Sequence, residues 1–227
     1  MTTFLLLPGA GGTGLYWHAV VPLLEAAGHE AIAVDLPGAD ASAGLDAYAD
    51  IAVRALENRR DVILVAQSMG AFTAPLVAQR VPVRSIVLLN AMIPLPGETP
   101  GDWWGHVKSE EARVAAAKAG GYAESFDLAT YFLHDLPPEL AEELMKHDAH
   151  ESPIAFRTPC AFEAWPAVPI HLVVGADDRF FPPELQERVA RERLGPALTS
   201  TTRIPGGHLA ALAHPKAIAQ HLIALAA

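Results

Sequence analysis

Cysteine is nearly absent: Cys160 stands alone in 227 residues, which rules out an intrachain disulfide framework and leaves too few thiolates for a cysteine-bound zinc ion. Basic residues are scarce as well. Sixteen Lys and Arg face 26 Asp and Glu, a net charge of -10 with no acidic tail and no basic block. That balance favours solubility and argues against nucleic acid or an anionic membrane as partner. No apolar run approaches membrane-spanning length, and the stretch Met1 to Gly9 lacks both a basic start and an apolar core long enough for a secretory leader. These absences lead us to expect a soluble cytoplasmic protein, monomer or homodimer, whose partner is a small molecule. Internal repeats are missing too. Disorder is excluded by a composition that is 51% hydrophobic and 19% charged.

What is present alternates. Short apolar runs at Phe4–Leu7, Ala31–Val34, Val62–Ala66, Ser85–Leu89, Pro169–Val174 and Leu198–Ile204 read as strands. Between them lie helical stretches at about Tyr16–Ala27, 45–59, 71–80, Glu184–Leu194 and Pro215–Leu225. Residues Leu45, Tyr48, Ala49, Ala52, Val53 and Leu56 set the period of the second of these. Strand and helix in alternation predict an open, mostly parallel α/β sheet of six strands with helices on both faces. One interval breaks the pattern. From Ile93 to Pro166 no strand-like run occurs, while 110–119 and 138–147 read as helices. We therefore expect a core formed by residues 1–92 and 167–227, with 93–166 inserted as a helical lid over the carboxyl ends of the strands, where open α/β sheets bind ligands. Trp103, Trp104, Phe126, Tyr131, Phe132 and Trp165 give that insertion enough aromatic surface to order itself.

The third strand runs straight into Gln67-Ser68-Met69-Gly70. A serine between a buried strand and a helix, with small residues Ala66 and Gly70 two positions away on either side, has the spacing of a nucleophile elbow. A loop serine that only caps the next helix is the plainer alternative. Upstream, Gly9-x-Gly11-x-x-Gly14 follows the first strand and Asp35 ends the second, which formally matches a dinucleotide fingerprint. The same loop can instead offer the Ala10 N–H, with that of Met69, as an oxyanion hole. Only this second use accounts for the elbow as well. Pro22 also falls inside the helix that would face a pyrophosphate.

A serine needs a base held in one tautomer by a carboxylate. Asp178 follows the fifth strand and His208 follows the sixth, behind Gly206 and Gly207. Asp177 is the rival acid. His106, His134, His147 and His150 fall in the insertion and stay open as substrate contacts. No His-x-x-x-His pair stands beside a carboxylate at a strand end, so no metal is expected. No cofactor is expected either.

Taken together, Leu7-Pro8-Gly9-Ala10, Trp17, the stretch Pro22 to His29, Ala66-Gln67-Ser68-Met69-Gly70, the stretch Gly175 to Pro182 and Gly206-Gly207-His208 resemble the α/β-hydrolase superfamily, and within it the compact branch of plant methyl esterases and hydroxynitrile lyases. The resemblance implies the strand order 2-1-3-4-5-6 and a Ser68, Asp178, His208 triad. Pro8 stands where the family usually has a histidine. Leu209 stands where a hydroxynitrile lyase would carry lysine, and a serine at the elbow differs from the carboxylate of related dehalogenases. The expected activity is hydrolysis of a small, largely apolar ester through an acyl-enzyme, with Trp103, Trp104, Phe126, Tyr131, Phe132, Phe181 and Leu209 around the substrate. A small-molecule receptor on the same fold, with slow or vestigial hydrolysis, is the alternative reading.

Overall fold

The computed structural model describes residues 1–146 and 150–227. Its elements in chain order are β1 (Thr3–Leu7), α1 (Val21–Ala26), β2 (Glu30–Ala33), α2 (Leu45–Leu56), β3 (Val62–Gln67), α3 (Gly70–Arg80), β4 (Ser85–Leu89), α4 (Pro100–Val107), α5 (Ser109–Gly120), α6 (Pro138–Leu144), α7 (Pro153–Arg157), β5 (Ile170–Gly175), α8 (Pro183–Leu194), β6 (Leu198–Ile204), α9 (Ala210–Ala213) and α10 (Pro215–Ala226). All six strands pair in parallel, in the order β2-β1-β3-β4-β5-β6. Consequently every strand ends on the same edge.

Why these runs form inner strands is visible in their alternation. Leu5 and Leu7, Val62, Leu64 and Ala66, Ile86 and Leu88 point into one apolar layer with α2, α3 and α8. Phe4 and Leu6, Ile63 and Val65, Val87 and Leu89 point into the other, where Ile218, Ala219 and Leu222 of α10 and Leu24 of α1 cover them. A sheet buried on both faces needs apolar residues at every position, which explains the uninterrupted runs. The edge strand β6 instead alternates half-buried and exposed positions up to the buried Ile204.

Boundaries differ from the sequence reading at three helices, the mildest case being α2, read over 45–59 and ending at Leu56. The segment expected as one helix from Tyr16 to Ala27 is a 3-10 turn at Gly14–Trp17 followed by α1, with Pro22 in the first turn of α1. Proline has no N–H to give an earlier carbonyl and favours a helix start. The helix expected to reach His147 is α6, and His147 lies outside the described residues.

The insertion between β4 and β5 shares the main core. Ile93, Trp103, Val107, Ala155, Cys160 and Phe162 belong to the same apolar layer as the sheet. The Cys160 thiol meets the Phe72 carbonyl at 3.1 Å, and burial pushes its pKa up to about 12. A thiol so placed is a packing group. No described helix is long and apolar enough to cross a membrane.

One buried ion pair ties the insertion to α8. Arg193 donates to Glu98 at 2.5 and 3.0 Å and to the Ile93 carbonyl at 2.6 Å, while His106 Nδ1 lies 2.7 Å from the same carboxylate. Burial pushes the Glu98 pKa up, but the hydrogen bonds from Arg193 and His106 outweigh it and hold the carboxyl below its ordinary value. Glu98→Gln leaves Arg193 without its anion and should lower stability by about 3 kcal/mol at neutral pH. A carboxyl with a depressed folded pKa contributes stability above its unfolded pKa, about 4.3, and loses it as pH falls through the folded one. Urea unfolding should therefore show the gap between wild type and variant closing in acid. An equal gap at pH 7 and at about pH 3.5 would contradict the pairing.

Candidate active site

Ser68 occupies the turn between β3 and α3 with φ +49°, a left-handed conformation that a non-glycine residue adopts only when its surroundings hold it there. Three hydrogen bonds do so. The Ser68 N–H donates to the Leu89 carbonyl at 3.1 Å, and the Ser68 carbonyl accepts from Met92 at 3.0 Å and Ala71 at 3.2 Å. The glycine loop after β1 lies directly against this turn. A Cβ on Gly70 would sit 2.4 Å from the Pro8 carbonyl oxygen, and one on Gly9 2.9 Å from the Ser68 Cβ. Neither position has room for a side chain, which is the physical reason for glycine at both.

From the next strand ends come an acid and an imidazole. His208 Nε2 lies 3.1 Å from Ser68 Oγ, and its Nδ1 lies 2.9 Å from Asp178 Oδ2. All three are withdrawn from solvent, with exposures of 7% for Ser68, 2% for Asp178 and 1% for His208. Asp178 accepts four hydrogen bonds: Phe180 and Phe181 N–H on Oδ1, each at 2.9 Å, and Gln186 Nε2 at 3.0 Å with His208 on Oδ2. A carboxylate so occupied faces the imidazole as an acceptor, which assigns the neutral ring's proton to Nδ1 and leaves the Nε2 lone pair toward the serine hydroxyl. Asp177 is exposed and uses its N–H on the Gly206 carbonyl at 3.0 Å.

Among the described residues, the N–H groups of Ala10 and Met69 have no protein acceptor. Their neighbours do: Gly11 N–H donates to Glu151 Oε2 at 2.9 Å, and Gly14 N–H to Asp35 Oδ1 at 2.7 Å. Asp35, which a dinucleotide reading would assign to a ribose, therefore closes its own loop. Together these groups can deprotonate a hydroxyl beside a carbonyl and offer free N–H groups nearby. No group of side chains suited to a metal occurs among the described residues.

The comparisons agree with this architecture. The family model described as "Alpha/beta hydrolase family" matches residues 4–221. The chain belongs to the α/β-hydrolase family. A pyrethroid hydrolase of Sphingobium wenxiniae is 26% identical over 245 residues, covering 97% of this chain and 86% of the relative. Among solved structures, polyneuridine aldehyde esterase superimposes with a TM-score of 0.78 at 18% identity, over 100% of both chains. A methylesterase from Arabidopsis gives 0.75 at 19% identity, over 99% of this chain and 98% of the other. At these identities the structures speak for the fold.

In this α/β-hydrolase the expected substrate contacts separate into groups. Phe132 and Phe181 each stand edge-on to His208, with centroids 4.9 Å from the imidazole. Trp104 and Phe126 line a neighbouring cavity with Phe180. Trp103 and Tyr131 are fully buried. The Trp103 indole donates to the Ile93 carbonyl at 3.1 Å and the Tyr131 hydroxyl to the Ala123 carbonyl at 2.5 Å, so the structure places both in packing. Leu209 packs toward the α10 layer. His106 holds Glu98, and burial keeps the His134 imidazole below its ordinary pKa despite Asp135 beside it.

Several residues that shape the site escaped the sequence reading. Asn90, at φ +46° after β4, accepts the Gly175 N–H at 2.7 Å and donates to the carbonyls of Gly207 at 2.9 Å and His208 at 3.2 Å. Gln67 donates to the His208 carbonyl at 3.3 Å, and Asp135 accepts the Gly207 N–H at 2.6 Å. Asn90 thus joins the acid-bearing loop to the base-bearing one. Because it is fully buried, Asn90→Ala leaves polar groups of both loops unpaired and should cost about 2–4 kcal/mol. Urea denaturation measures this, and a loss below about 1 kcal/mol would show that the loops do not depend on it.

Proposed function

We propose that this protein is a serine hydrolase that cleaves small, largely apolar carboxylic esters through a covalent acyl-enzyme. One observation carries the reading: a serine hydroxyl, an imidazole and a carboxylate in hydrogen-bonded sequence at the carboxyl edge of the sheet, beside two N–H groups with no acceptor among the described residues. The named relatives, a pyrethroid hydrolase and two esterases, support an ester as substrate.

In the mechanism that this geometry allows, His208 Nε2 takes the Ser68 proton as Oγ attacks the ester carbonyl. The carbonyl oxygen gains charge as the tetrahedral centre forms, and the N–H groups of Ala10 and Met69 are the donors for it. Collapse of that centre breaks the bond to the alkoxide, and the imidazolium returns the proton to it. A water then repeats the sequence on the acyl-enzyme, releasing the acid and restoring Ser68. Asp178 remains ionised and holds the imidazole in its tautomer. The insertion, which brings Phe132 against the imidazole opposite Phe180 of the loop after β5, serves as the lid that keeps bulk water from the reacting atoms.

A fluorophosphonate probe should label Ser68 stoichiometrically, and Ser68→Ala should abolish labelling. Asp178→Asn should reduce kcat by about 10⁴, the size of the tautomer effect in the best-studied triad, while Asp177→Asn stays within about tenfold of wild type. Steady-state kinetics on short-chain esters decides it. Equal losses in the two variants would remove Asp178 from the role.

A further inference from the structure

A cavity lies beside the reacting atoms, behind Phe180. Its volume is about 220 Å³, and its walls are Trp104, Ser109, Glu110, Arg113, Phe126 and Phe180. Glu110 is exposed and Phe126 is 52% exposed, so the cavity opens to solvent. An apolar cavity of about 150 Å³ already accommodates benzene. This one has room for an aryl group with a short linker, and three aromatic side chains to face it.

Arg113 does not turn the cavity into an anion site. Its guanidinium meets Glu110 at 2.5 and 3.2 Å and the Glu124 carbonyl at 2.7 Å, and lies 4.7 Å above the Tyr131 ring. With that charge answered, the occupant favoured is neutral and aromatic.

Of the residues that line the cavity, Phe180 is the one whose ring packs against the His208 imidazole. Phe180 lies 5.1 Å from His208 between centroids, 4.5 Å from both Phe132 and Phe181, and 5.4 Å from Trp104. Its backbone is pinned as well, because its N–H is one of the four donors to Asp178. Packed on both sides and anchored at its base, the ring is a fixed wall. In ester cleavage the imidazole returns its proton to the leaving alkoxide, so a wall against that ring limits the alcohol part of the substrate.

Building on the ester-hydrolase reading, we propose that Phe180 is the specificity-determining residue for the alcohol: its ring partitions the serine site from a cavity that fits an aryl group, confining the wild-type enzyme to esters of small alcohols. Removing the ring joins the two spaces. With acetate as the constant acyl group, the ratio of kcat/KM for 3-phenylpropyl acetate to that for ethyl acetate should rise at least tenfold in Phe180→Ala. Phe180→Leu, which keeps more of the packing, should move the ratio in the same direction. A ratio within twofold of wild type in both variants, with Ser68 still labelled by the fluorophosphonate probe, overturns the partition. Binding of 3-phenyl-1-propanol by calorimetry reads the same wall without turnover, and should be at least tenfold tighter in Phe180→Ala. If the wild-type serine proves inert to probe and esters alike, the ester-hydrolase reading fails. The calorimetric comparison still decides the partition, with equal affinities overturning it.

Discussion

A left-handed backbone at a residue with a side chain costs of order 1–3 kcal/mol, and at Ser68 the structure holds that conformation in the turn between β3 and α3. Hydrogen bonds to Leu89, Met92 and Ala71 fasten the turn to the end of β4 and to α3, while Gly70 and Gly9 let the loop after β1 press against it. The strain has a consequence for chemistry. It lifts the hydroxyl out of the β3 line to meet an imidazole arriving from the far side of β5.

That meeting depends in turn on parallel pairing. Because all six strands run the same way, the loops after β1, β3, β5 and β6 emerge on one edge, and residues from four loops come together without any of them being near in sequence. The long return from β4 to β5 is then free to cover this edge. Phe132 touches the imidazole, Asp135 takes the Gly207 N–H, Arg179 donates to the Thr130 carbonyl at 3.2 Å, and Glu151 takes the Gly11 N–H while also accepting from the Tyr48 hydroxyl. The insertion therefore holds both the base-bearing loop and the glycine loop.

How much of this the sequence disclosed follows from how local each signal is. Strands buried on both faces show as unbroken apolar runs, and the elbow is a pattern of five residues, so the sheet and the position of Ser68 could be read directly. Order along the chain then put the acid after β5 and the base after β6, and the spacing shared with the family favoured Asp178 over its neighbour Asp177. Short or irregular elements were harder. The helix α4 spans eight residues, contains Gly101 and Gly105, and carries its two tryptophans without a helical period long enough to register, while Ala129–Leu133 form one wide π turn. Hardest of all were the residues acting across distance. Asp135 is 72 positions from Gly207, and Glu151 is 140 from Gly11. No spacing rule links such pairs, because the folding of the insertion over the sheet edge brings them together. Phe180 was hidden differently: it sits beside Phe181, and only the backbone exit from Asp178 decides which ring faces the cavity.

The central claim is that Ser68 carries the acyl group between the two halves of the reaction. Rapid acid quench of the enzyme with p-nitrophenyl acetate, followed by peptide mass spectrometry, tests it most directly. The account predicts a mass increase of one acetyl group on the peptide containing Ser68, rising with the burst of p-nitrophenol and decaying as acetate is released. Turnover with no acyl group on that peptide at any quench time, or with the acyl group on another residue, would contradict it.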